Sequence, residues 1–169
     1  MHTKEETTEQ DPDKTAKIHS VVSRQLESIV AASFTALNTH NFDLSTPPWT
    51  CYSKHFRNDP NGPAPNLSTY SEHPNLSNSE STDLAGMVDF FKTLAETCPE
   101  YQTLVVEMAT TELDLEAGTG SVMVSAESHG IPVGVVRSSI SLFEFQREKR
   151  EWRCVRQRTL PGIEYVPEG

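Results

Sequence analysis

Three side chains in the C-terminal half have the types and spacing for proton transfer: Glu127, His129 and Arg137. Glu127 and His129 are two apart, so on a strand both would point to one face. A carboxylate beside an imidazole orients the ring and raises its pKa, which suits proton transfer near neutral pH. An arginine nearby could hold the oxygen of an enolate or phenolate. His129 is then the candidate base, Glu127 its orienting partner and Arg137 the oxygen holder. The competing reading is a solvated cross-strand ion pair worth under about 1 kcal/mol.

The three residues meet only if the strands pair in a particular register. Extending across "HGIPVG", one register puts Glu127 opposite Arg137 and Ser125 opposite Ser139. With two-residue turns at Ala117-Gly118 and Glu148-Lys149, Leu113 faces Val122, Thr111 faces Val124, Phe145 faces Trp152 and Leu142 faces Val155. One face then holds Leu113, Val122, Val124, Ile140, Leu142 and Val155. The other holds Met108, Met123, Phe143, Phe145 and Trp152, together with Glu127, His129, Arg137, Arg156 and Arg158. A slip of one residue exchanges the two faces.

A second candidate lies in "NTHNFDLSTPPWTCYSKHFR", residues 38–57. Trp49, Tyr52 and Phe56 sit three and four apart, as one face of a short helix requires. Ser45 or Thr46 can cap that helix, with Pro47 at its first position. These aromatics, closed over by Phe90 or Phe91, would line the mouth of an apolar pocket; packing into the core is the competing reading. His55 and His73 flank the proposed mouth and are candidates for touching or transforming a substrate. His40 follows the end of a long helix, where the dipole favours its charged form and capping is its simplest role. His2 and His19 carry no expected role.

Other chemistries find no support. No histidine or carboxylate spacing fits a metal, so no bound metal is expected. There is no GxSxG motif and no cysteine in a nucleophile context. Glycine-rich phosphate loops are absent, so no nucleotide cofactor is expected. A formal charge of −10 argues against nucleic acid. The stretch "REKREWRCVRQR" holds six of the fourteen basic residues and reads as a charged hairpin turn with a solvated strand face. Cys51, Cys98 and Cys154 are odd in number and widely spaced, which suits reduced thiols in a cytoplasmic protein. No apolar run has signal-peptide or transmembrane character.

The elements that would position these residues follow from periodicity. Residues 1–13 read as a disordered polar tail, and 14–169 as a single domain. Ile18, Val22, Leu26, Ile29, Val30, Phe34 and Leu37 form one stripe on a helix over about 14–40, with Asp11 or Asp13 to cap it. The short helix follows, then two short strands within 54–75 around a Pro-Asn-Gly loop. A third helix covers about 82–97, with Pro99 at its end. After Pro99 the period becomes two, and strands at about 101–115, 119–129, 134–147 and 151–159 form an antiparallel meander. The architecture is α+β.

Two segments carry a resemblance. "FTALNTHNFDLSTPPWTCYSKHF" is a helix ending in Asn-x-x-Asn-Phe-Asp before an aromatic turn. "ISLFEFQREKREWRCVRQR" is a strand, tight turn and Trp-led final strand. With the third helix they span roughly 14–160 and resemble the nuclear-transport-factor-2-like superfamily in its SnoaL-like branch. The polar tail and Pro-rich loop are similar to those of a fungal member. The resemblance implies a cone-shaped, cystatin-like fold: three helices on a strongly curved antiparallel sheet, enclosing an apolar pocket. It also implies dimerisation through the outer face of the sheet. The implied function is a cofactor-free isomerase, cyclase or dehydratase acting on a hydrophobic polycyclic polyketide or terpenoid. The alternative is a non-catalytic module that binds a small molecule or a partner. The catalytic residues of the superfamily's known enzymes find no matched positions here. A titratable group on the cavity floor would favour the enzyme, and an all-apolar floor the binding module.

Overall fold

The apolar stripe makes the N-terminal segment a helix. The computed structural model, which describes residues 11–59, 82–131 and 133–168, shows it as α1, Pro12–Asn38. The Asp11 carboxylate accepts from the Asp13 amide, and Pro12 fills the first turn, where no intrahelical donor is needed. The stripe is buried at Leu26, Ile29 and Val30 and partly buried at Phe34 and Leu37, while Ile18 is exposed.

The far end of α1 is tied to the sheet by one side chain. The Asn38 amide group donates to the Thr103 carbonyl at 2.7 Å, and its oxygen accepts from the Thr103 amide at 2.9 Å. That two-way exchange is what a neighbouring strand would supply. The Asn-Phe-Asp turn that follows is locally bonded. Asn41 Oδ1 accepts from the Asp43 amide, the Asp43 carboxylate accepts from Ser45, and the Trp49 indole donates to the Asn41 carbonyl at 2.8 Å.

The expected short helix is only a single 3-10 turn, Trp49–Cys51, after which the chain enters β1, Tyr52–Asp59. A spacing of four fits a helix face but is also even, so it fits one face of a strand equally well. Pairing of β1 with the last strand decides the matter. Among the described residues two α-helices therefore pack on the sheet, and the expected short one is not a third. The second, α2 (Leu84–Thr97), starts where Asp83 accepts from the Gly86 amide and buries Met87, Val88 and Leu94. Of the two short strands expected within 54–75, the first falls in β1. Residues 60–81 lie outside the described residues, and His73 lies among them.

Strands β2 (Gln102–Asp114), β3 (Thr119–His129), β4 (Val136–Glu148) and β5 (Glu151–Tyr165) form the antiparallel meander. The sheet as a whole is mixed, because β1 joins its edge parallel to β5, giving the order β1-β5-β4-β3-β2.

The expected registers need correction. Asp114 accepts from the amides of Glu116 and Ala117 and organises a longer loop than Ala117-Gly118 alone. Leu113 therefore faces Gly120, and Val122 faces Thr110. The last hairpin turns at Lys149-Arg150, both at positive φ, as a two-residue turn of matching twist requires. Phe145 consequently faces Cys154, and Trp152 faces Arg147. Between β3 and β4 the pairing is Glu127 with Ser138 and Ser128 with Arg137, one residue from the expected register.

Irregularities in β1–β5, β2–β3 and β4–β5 pairing bend the strands. The concave face carries Val122, Val124, Ala126, Phe143 and Phe145, which meet Leu26, Val30, Met87 and Val88 from the helices. Gly120 makes room there: a Cβ would stand 2.9 Å from Leu26 Cδ1.

Replacing Asn38 by Ala strands both backbone groups of Thr103. It is expected to cost about 1–3 kcal/mol, read as a lowered urea midpoint. An unchanged midpoint would show that this tie contributes nothing.

Candidate active site

A cavity of about 210 Å³ lies between the helices and the concave face of the sheet. Its two walls differ in chemistry because they come from different elements. The helical wall is apolar apart from Ser33: Phe34 and Leu37 from α1, and Met87, Phe90, Phe91 and Leu94 from α2, with Trp49 beside them. The sheet wall is mostly polar: Ser128 from β3, Arg137, Ser139 and Ser141 from β4, and Gln157, Thr159 and Glu164 from β5.

Two tyrosines stand where the walls meet. Ser33 Oγ donates to the Ile29 carbonyl at 2.9 Å. With its one proton so used, Ser33 accepts from the Tyr52 hydroxyl, also at 2.9 Å. Burial pushes the Tyr52 phenol well above its ordinary value; the nearby Cys154 adds to this and the Ser33 bond opposes it. At Tyr101 the polarity is reversed. The Thr103 hydroxyl donates to the Tyr101 oxygen at 2.7 Å, leaving the phenol proton for a second acceptor. Burial raises the Tyr101 pKa, while bonds with Thr103 and Ser128 and the charge of Arg137 lower it in part.

Arg137 faces the cavity and is buried. Its Nε lies 2.9 Å from Glu164 Oε1. A bulge makes that meeting possible: Arg137 pairs with Glu164 and Ser139 with Pro161, so β5 holds an extra residue between them. Ser138 Oγ accepts from the Ile163 amide at 3.0 Å and donates to the Ile163 carbonyl at 3.2 Å. Gly162 permits the close approach, since a Cβ would stand 2.4 Å from Ser138 Oγ. The remaining carboxylate of the cavity wall, Asp59, is bound by Arg156.

The residues singled out in the sequence are divided by this arrangement. Arg137, Trp49, Tyr52, Phe90 and Phe91 are in the cavity wall. Phe56 is in the core, its ring 4.9 Å from that of Tyr52. His55 is exposed on β1 and is not in the wall. Glu127 and His129 do come together, with His129 Nε2 3.6 Å from Glu127 Oε2. Glu127 also accepts from the Tyr165 hydroxyl at 2.8 Å, which raises the Tyr165 pKa. This pair belongs to the convex face, because alternation along β3 sends Ser128 inward and its neighbours outward. The expected grouping of Arg137 with Glu127 and His129 on one face is therefore corrected. Among the described residues no histidine lines the cavity, and no group of three His, Cys, Asp or Glu could hold a metal ion.

Sequence reasoning missed Tyr101 and Glu164 as wall residues. Tyr101 was only the start of a strand. Glu164 lay beyond the expected end of the last strand at 159, because Pro161-Gly162 reads as a stop.

No protein-family model matches this sequence, and no curated protein matches it. Solved structures do match, 93 chains in number. A nuclear-transport-factor-2-like protein with a cystatin-like fold from Novosphingobium aromaticivorans is 13% identical with a TM-score of 0.60, over 89% of this chain and 90% of that one. A protein of unknown function from Mycobacterium tuberculosis is 10% identical with a TM-score of 0.60, over 91% and 78%. A candidate ketosteroid isomerase from Shewanella frigidimarina is 7% identical with a TM-score of 0.54, over 79% and 92%. At such identities the likeness is one of fold. The chain has the α+β, cystatin-like fold of nuclear-transport-factor-2-like proteins. Among the described residues no helix is long and apolar enough to cross a membrane.

Tyr52 and Tyr101 both have raised pKa values in the folded state. The unfolded chain releases these protons first, so their contribution to stability is intact below about pH 10 and is lost as pH rises toward the folded values. Each tyrosine adds a slope of up to about 1.4 kcal/mol per pH unit. Tyr52→Phe is expected to lessen the fall of the urea midpoint between about pH 10 and 11.5. An identical fall in the variant would mean that Tyr52 ionises as readily folded as unfolded.

Proposed function

We propose that this chain is a cofactor-independent enzyme that moves a proton on a small, hydrophobic cyclic molecule held in the cavity: an isomerase, cyclase or dehydratase of the SnoaL-like kind. The observation that carries this reading is a titratable group, Tyr101, Arg137 and Glu164, on the polar side of a cavity whose helical side is largely apolar. Tyr101 can donate to a carbonyl oxygen. Glu164 is the carboxylate placed to take a proton from the adjacent carbon. Glu127 and His129, on the convex face, are not among the residues that line the cavity. The volume bears on the substrate. An apolar cavity of about 150 Å³ holds benzene, so one of about 210 Å³ suits one or two fused rings. Any further ring of a polyketide or terpenoid would extend through the mouth.

One feature favours the binding-module reading. Both carboxylates of the wall are engaged by arginines, Glu164 by Arg137 and Asp59 by Arg156. Proton exchange separates the two readings. In deuterated buffer the protein is expected to speed deuterium uptake beside the carbonyl of the bicyclic ketone 2-tetralone. Glu164→Gln is expected to remove about 10²–10⁴-fold of that acceleration. Saturable binding of the ketone with no exchange would leave a binding module.

We also propose that the convex face pairs with a second copy of the chain. Leu104, Met123, Ile140 and Leu160 expose apolar surface there. Ile140→Lys is expected to convert a dimer to a monomer in sedimentation; a wild-type monomer would end the proposal. The three free thiols fit a cytoplasmic location.

A further inference from the structure

We propose that the molecule bound in this cavity carries a carboxylate, and that this carboxylate takes the place of Glu164 on Arg137. The inference deepens the reading above and rests on the cavity being a binding site. Arg137 is the one lysine or arginine among the described residues that line the cavity, in a chain whose net charge is −10. A buried guanidinium facing an internal space with low-dielectric walls attracts an anion that can replace its resident carboxylate. It presents a planar fork of donors that matches two carboxylate oxygens. One arginine balances one negative charge, so a carboxylate fits better than a doubly charged phosphate.

The resident partner is asymmetric in a way that allows exchange. The Arg137 side chain is 10% exposed, whereas that of Glu164 is 47% exposed. When a ligand anion takes Arg137, Glu164 is released from its ion pair and, half exposed, recovers its hydration while staying on the cavity wall, where it is free to act as the base. Arg137 stays buried and keeps a counter-ion throughout, so the exchange never leaves an uncompensated buried charge. Tyr101 lies close enough to feel the guanidinium charge and can add a hydroxyl donor. The apolar helical wall then receives the hydrocarbon body. The ligand class is an aromatic or alicyclic acid of one or two rings.

The test compares 2-naphthoate with its methyl ester by titration calorimetry on the full chain. The carboxylate is expected to bind at least about tenfold more tightly, as a charge-assisted pair does against a neutral one. Arg137→Met is expected to abolish that preference while retaining ester binding. Glu164→Gln is expected to tighten the carboxylate several-fold and leave the ester unchanged. If Arg137→Met fails to fold, the wild-type preference and the Glu164→Gln shift decide the matter. Equal affinity for acid and ester would overturn the carboxylate proposal and leave the cavity reading standing. Absence of binding by either compound would overturn both.

Discussion

Which residues can reach the cavity is governed by one residue of register between β3 and β4. Val122 lies opposite Phe143, Val124 opposite Ser141, and Ser128 opposite Arg137. Alternation then commits every second residue of both strands to the concave side. A pairing shifted by one would set an arginine against solvent and drive Glu127 into the core. The burial of Val122, Val124 and Phe143 forbids that shift. Each such side chain contributes about 1.5–3 kcal/mol when fully buried, so the apolar part of the ladder fixes the position of Arg137.

The cavity inherits its two-sided character from how helices and strands handle polarity. Helices α1 and α2 satisfy their own backbone and turn a stripe toward the interior that is apolar except for Ser33. The strands carry hydroxyls on their concave side near the open end, and these bond with one another: Ser141 with Thr159 at 2.8 Å, and Thr103 with Ser128 at 3.4 Å. The result is a space that dispersion alone would fill on one side and that requires oxygen or nitrogen on the other.

Much of the fold was legible in the sequence, and the reasons are specific. The seven-residue stripe of α1, the period change after Pro99 and a tight turn within residues 147–150 each carry a local signal, although the turn falls one residue later than expected. The Asn-x-x-Asn-Phe-Asp motif was visible as a pattern, but its purpose was not: Asn38 binds a strand 65 residues away. β1 was misread because Tyr52 and Phe56 suit both periods, and only its parallel partner resolves the choice. The site was legible in part. Arg137 was identified, yet its companions were misassigned, since Glu127 and His129 differ from a correct answer by one step of alternation. Glu164 was hidden by a Pro-Gly pair that normally ends a strand and here shapes a bulge. Register, bulges and long-range side-chain ties depend on distant partners, and no local pattern encodes them.

The clasp of Ser138 on Ile163 has a consequence for how such a protein can diversify. In a regular ladder, an added residue propagates a shift along everything beyond it. Here a hydroxyl stands in for the backbone partner and absorbs the extra residue at a single point. The chain beyond Pro161 is thereby decoupled from the pairing of Phe143 with Gln157. Mutation can lengthen, shorten or recharge the rim while the interior stays in register. The end of the last strand is thus a place where selection can rewrite part of the cavity's lining without disturbing how the chain folds.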